Sequence, residues 1–100
     1  MAAWLYSLHT PRENFAATMT DDEAAAWNLH FEWLGGLLEE GRLVLAGVTL
    51  GAVNTGMALF EAADEAAARG IVSADPAARG GFARGELRAF DLGLLRGRDG

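Results

Sequence analysis

The chain contains no cysteine and no lysine. Without Cys there is no disulfide framework, no thiolate nucleophile and no Cys-based metal site, so stability must come from packing or from a partner subunit. The basic residues are 8 Arg against 14 Asp plus Glu, a formal charge of −6. Their only cluster is the short run Arg96 to Arg98, diluted by Asp99. Nucleic-acid readers need basic stripes to displace phosphate counterions, so that class of partner is excluded. Long apolar runs are also missing: nothing approaches the roughly 18 consecutive residues of a membrane span. The start, Met1-Ala2-Ala3-Trp4, lacks the basic segment of a secretory signal. A soluble, cytoplasmic protein with no membrane partner is the expectation. Of the 51% hydrophobic residues 20 are Ala, leaving 51 − 20 = 31 larger apolar side chains, enough for one domain. We expect that domain to span residues 1–92, with a frayed Gly/Arg-rich tail over 93–100.

The two prolines punctuate the chain. Ala3 to His9, with Trp4, Tyr6 and Leu8, reads as a strand that ends at Thr10-Pro11. A loop to Met19 follows, and Thr20-x-x-Glu23 has capping-box spacing. From there the helical period places Trp27, Leu34, Leu37 and Leu38 in one stripe, with Phe31 on its flank, until Gly41 offers a left-handed stop. Arg42 to Leu50 is apolar on both parities and predicts a strand buried on both faces. Val53 to Phe60 predicts a second strand, its Gly56 marking a bulge or a close backbone approach. Ala63 to Ala74 is an Ala-rich helix with Asp64 and Glu65 in its first turn. Asp75-Pro76 stops it, because the residue before proline avoids the helical region. Ala77 to Gly81 is a turn or short helical piece, and Phe82 to Leu92 is the last strand.

The order β-α-β-β-α-β defines an α+β, ferredoxin-like protomer: a four-stranded antiparallel sheet with two helices on one face. Its other face is left open, and packing two copies sheet to sheet would cover it. We therefore expect a homodimer, with a small-molecule ligand in the cleft between sheet and helices.

Two His and several carboxylates form the acid/base inventory. His30 falls within about 40° of Leu34 and about 20° of Leu37 on the helical wheel, so it points at the sheet. It is open to two readings, a satisfied core histidine or a general base. Asp75 is its natural partner, although Asp-Pro also initiates turns without any chemistry. A carboxylate on one imidazole nitrogen fixes the tautomer and leaves the other nitrogen to move a proton. Ser7 and Ser73 lack a nucleophile elbow, so proton transfer fits better than acyl transfer. His9 and Arg12 are candidates for lining the cleft mouth and binding substrate. No metal site and no cofactor are indicated, since two His about 21 residues apart make no ligand pattern and Gly35-Gly36 and Gly80-Gly81 lack phosphate-loop spacing. Trp27, Phe31 and Trp33 at helical spacing read as core or dimer packing.

His30 in the first helix, then Gly41-Arg42-Leu43-Val44-Leu45-Ala46-Gly47, then Asp75-Pro76 with Gly80-Gly81-Phe82 behind it, resembles the YCII-related family of the dimeric α+β barrel superfamily. Pro11-Arg12, Phe15, Met19-Thr20 and Glu23 resemble a bacterial branch of it. The resemblance implies a ferredoxin-like protomer, a homodimer formed through the sheets and a His30/Asp75 pair in a cleft. Ala77 departs from the aromatic that many members carry after Asp-Pro. Relatives on this architecture include muconolactone isomerases and dehalogenating enzymes of aromatic breakdown. The implied activity is cofactor-independent proton transfer of isomerase, lyase or dehalogenase type on a small lactone, enol or carbonyl compound. The alternative is a non-catalytic dimeric binding or accessory module. A monooxygenase on the same architecture fits the His/Asp pattern less well.

Overall fold

A computed structural model describes residues 2–96. The elements are β1 (Ala2–His9), α1 (Phe15–Thr18), α2 (Asp21–Glu39), β2 (Leu43–Val48), β3 (Thr55–Ala62), α3 (Glu65–Val72), α4 (Pro76–Arg79) and β4 (Arg84–Phe90). The strands form one antiparallel sheet in the order β2-β3-β1-β4. This is the expected ferredoxin-like α+β arrangement, with two single-turn helices added. Among the described residues no helix is long and apolar enough to cross a membrane. Residues 93–96 form no helix or strand, and the rest of the tail expected to fray lies outside the described residues.

Strand alternation sorts the sheet into two faces. Trp4, Tyr6 and Leu8 of β1 and Ala58, Phe60 and Ala62 of β3 turn inward and are buried against Leu34 and Leu37 of α2, Ala68 of α3 and Ala77 of α4. The opposite face follows from the register: Leu5 lies between Leu59 and Arg88, Ser7 between Met57 and Glu86, and Leu45 pairs with Leu59. Leu59 is buried there, whereas Leu45, Met57 and Phe90 stay exposed.

Helix α2 begins with the expected reciprocal cap. The Glu23 N–H donates to Thr20 Oγ1 at 3.2 Å and the Thr20 N–H donates to Glu23 Oε1 at 2.8 Å. It ends where Gly41 takes φ +75°, a conformation that glycine adopts without a Cβ penalty. Asp64 caps α3 from outside, its Oδ1 accepting from the Ala67 N–H at 2.9 Å, so it precedes the first turn in which we expected it.

Three expectations need correction. Strand β2 is not buried on both faces: it is the sheet edge, and Leu45 to Val48 are exposed. Apolar content on both parities cannot distinguish an interior strand from an edge strand that has one side facing a cavity and the other an open sheet face. The irregular pairing lies in β2, between Leu43 and Leu45, and not at Gly56 of β3. The helical stripe is also rotated from its expected centre. Leu34 and Leu37 are buried, but Phe31 and Leu38 are 59% and 62% exposed, at the rim of an open space between α2 and the sheet.

Candidate functional site

The site is assembled from β1, α2 and the junction between α3 and α4. Burial of the Ala26, His30, Leu34 and Leu37 face of α2 drives His30 toward the sheet. Asp75 is the N-cap of α4, held there because Pro76 fits the first helical position and the Asp75 side chain accepts from the Ala77 N–H at 3.1 Å. These two constraints bring together residues 45 apart in sequence: His30 Nδ1 lies 2.7 Å from Asp75 Oδ1. The second carboxylate oxygen accepts from the Tyr6 hydroxyl, also at 2.7 Å.

Asp75 is wholly buried, which would cost several kcal/mol per unpaired ion. Three donors offset that cost: His30 Nδ1, Tyr6 Oη and the Ala77 N–H. Burial raises the Asp75 pKa, but the His30 and Tyr6 hydrogen bonds, the His30 charge and the Ala77 N–H together outweigh it and hold the carboxyl below its ordinary value. Tyr6 is pushed the other way by its own burial, then by bonding to Asp75 and by the Asp75 charge, and stays a neutral phenol donor. An ionised carboxylate only accepts, so the hydrogen must sit on His30 Nδ1. In the neutral ring Nε2 then carries the lone pair.

His30 is 6% exposed. Among the described residues no fully buried side-chain nitrogen or oxygen lacks a hydrogen-bond partner. Among those residues none bonds to Nε2, which is therefore not fully enclosed. His30 stands in the wall of a cavity of about 300 Å³ between α2 and the β2 side of the sheet. Trp27, Phe31 and Trp33 surround the imidazole, their ring centroids 5.5, 5.8 and 5.7 Å from its own. The aromatic spacing that read as core thus builds the walls around His30.

The other two candidates lie elsewhere. Arg12 grips Glu23 through two hydrogen bonds, Nη1 to Oε2 at 2.8 Å and Nη2 to Oε1 at 2.7 Å, and also donates to Thr18. Its guanidinium covers the Phe15 ring, which in turn packs on Trp27 with centroids 4.9 Å apart. Arg12 therefore buttresses one cavity wall from behind and does not line the cavity. His9 sits on the open face of the sheet, where its Nε2 is 3.0 Å from Glu86 Oε1. It borders a separate hollow with Pro11 and Arg84. The residue missed from the sequence is Tyr6. Its signal was the inward parity of β1, but only the three-dimensional placement of Asp75 reveals what its hydroxyl serves.

Among the described residues no three His, Cys, Asp or Glu side chains gather to hold a metal ion. The cavity presents one base, one phenol already committed to Asp75, and otherwise mostly hydrocarbon.

Fold and site together define a ferredoxin-like protein with a buried Tyr–Asp–His chain ending in a small apolar cavity. The sequence pattern of the YCII-related domain matches residues 4–91, and the chain belongs to that family. No curated protein matches the chain. Among solved structures it is similar to the 5-chloro-2-hydroxyhydroquinone dehydrochlorinase of Burkholderia phenoliruptrix AC1100 in complex with 2,5-dihydroxybenzoquinone. The TM-score is 0.68 and the identity 17%, over 93% of this chain and 96% of that one. At that identity the likeness concerns the fold.

Proposed function

We propose that this protein is a cofactor-independent proton-transfer enzyme in which His30 is the general base and Asp75 orients it. The observation that carries this reading is the unpartnered Nε2 of a nearly buried His30 whose Nδ1 is bonded to an ionised Asp75. A substrate hydroxyl or activated C–H within reach of Nε2 gives up its proton, and the electrons left behind form a new C=O or C=C bond. In an isomerase the imidazolium returns that proton to another carbon. In an elimination the leaving group departs with its bonding electrons and the proton passes from Nε2 to water. Throughout, Asp75 balances the charge that develops on the ring. Membership of the YCII-related family and the fold shared with a dehydrochlorinase support the class. The substrates are small enols, lactones or hydroxylated carbonyl rings.

The working unit in this proposal is a homodimer formed through the open sheet face, because Leu45, Met57 and Phe90 are exposed there on a single surface. To test the reaction, wild-type protein is presented with small lactones, enol acids and halogenated hydroxyquinols without metal or flavin, and each hit is repeated with His30→Gln. A fall in turnover of roughly 10² to 10⁴ is expected for loss of a general base. Turnover that survives the substitution refutes it. If ligands protect the fold and none is converted, the protein is a binding module.

A further inference from the structure

The cavity beside His30 owes its existence to three small residues on the inner sheet face. By register, Tyr6, Ala58 and Ala46 lie in one row across β1, β3 and β2, and Leu8, Gly56 and Val48 lie in the next. The middle of this floor, Ala46, Ala58 and Gly56, is dished beneath Trp27, Phe31 and Leu34 of α2. Gly56 is not demanded by the backbone: its φ is not positive, and an added Cβ would meet Leu8 Cβ at 3.5 Å, an ordinary contact. Glycine weakens a strand and leaves nothing to pack, so its presence here is explained by the room it leaves. Small residues alone would mean little, but the nearly buried His30 lines the same space with Nε2 unpartnered.

The chemistry of the lining limits what can enter. Among the described residues no Arg, Asp or Glu side chain borders the cavity. A carboxylate or phosphate on the ligand would lose its hydration without a counter-charge, whereas a hydroxyl donating to Nε2 would be satisfied. Apolar cavities of about 150 Å³ accept benzene, so about 300 Å³ holds one substituted ring.

We propose that Gly56, with Ala46 and Ala58, sets the specificity of this site for a single planar ring that bears a hydroxyl and no ionised acid group. Recognition is by shape and one hydrogen bond to Nε2. The assignment rests on the proton-transfer reading only for what happens to that hydroxyl proton.

The test is calorimetric titration of hydroquinone and benzoate into wild-type protein, Gly56→Ala and Ala46→Leu. Wild type is expected to bind hydroquinone at least about tenfold more tightly than benzoate, and each substitution to weaken hydroquinone about tenfold or more, as one misplaced methyl does in an apolar pocket. Gly56→Ala should melt no lower than wild type. If Gly56→Ala disturbs the fold, Ala46→Leu still decides, because Ala46 is exposed and its larger side chain adds volume without entering the core. Equal affinity for benzoate, unchanged hydroquinone binding in both variants, or no binding of hydroquinone overturns the proposal. Selective binding with no turnover of any compound would sink the proton-transfer reading and leave this assignment standing. Turnover of substrates indifferent to both substitutions would do the reverse.

Discussion

Asp75→Asn keeps the shape of the buried side chain and removes its charge. The Asn oxygen can still accept from the Ala77 N–H and His30 Nδ1, and the amide nitrogen can donate to Tyr6 Oη if that hydroxyl reverses. Hydrogen bonds to a charged group contribute about 1.5–3 kcal/mol and neutral ones about 1, so three of them lose roughly 3 kcal/mol together. Relief of carboxylate desolvation acts against this loss. The carboxyl is nevertheless held below its ordinary pKa, so the attractions win in the folded protein. We expect a net destabilisation of about 1–2 kcal/mol at pH 7, or roughly 5–15 °C in Tm for a domain of this size. Because the folded pKa is depressed, the stabilisation is present above the unfolded value of 3.8 and is lost as pH falls through the folded value. The Asn side chain does not titrate. Urea unfolding of both proteins at pH 7 and at stepwise lower pH should therefore show a gap that narrows once pH drops below 3.8. A gap that is absent at pH 7, or one that stays constant down to the acid limit of folding, refutes the reasoning.

Tyr6→Phe leaves one Asp75 oxygen buried without its donor, and should cost about 2 kcal/mol in unfolding free energy while the Asp75 pKa, followed by carboxyl NMR, rises. Arg12 holds the Glu23 carboxyl down to about 2 from an ordinary 4.5, so the stability difference between wild type and Glu23→Gln should persist above pH 4.5 and vanish only as pH approaches 2. A difference that disappears at neutral pH would remove the clamp from the account. For the sheet-to-sheet dimer, wild type should sediment at twice the 10.6 kDa of the chain, and Leu45→Glu, placing a charge on that face, should shift it to the monomer.

How much of this was legible in the sequence depended on whether a feature is local. The Thr20/Glu23 box, the Gly41 stop and the Asp75-Pro76 break after α3 are each decided within a few residues, and each is found in place, although the N-cap role of Asp75 on α4 shows only in the structure. The inward aim of His30 followed from helical phase alone. Features that depend on strand order were hidden. The edge position of β2 leaves Leu45 to Val48 exposed, and the space left between α2 and the sheet turns part of the expected core stripe, Phe31 and Leu38, into a cavity rim. Helix α1 was also hidden, since a single turn shows no period. It exists because Phe15 is buried against Trp27, while Asn14, at φ 57°, donates its N–H to Ala52 O at 2.7 Å. Tyr6 belongs with these: an inward tyrosine on β1 looks like core until Asp75 arrives beside it from 69 residues away.

The central claim is that Asp75 holds His30 in one tautomer and presents Nε2 as a proton acceptor. Long-range nitrogen–proton correlation spectra of imidazole-labelled protein report this directly, because protonated and bare ring nitrogens differ widely in shift. With a neutral ring, His30 should show a protonated Nδ1 and a bare Nε2, and Asp75→Ala, which removes the acceptor from Nδ1, should lose that fixed assignment. A protonated Nε2 beside a bare Nδ1 in the wild-type protein would contradict the account.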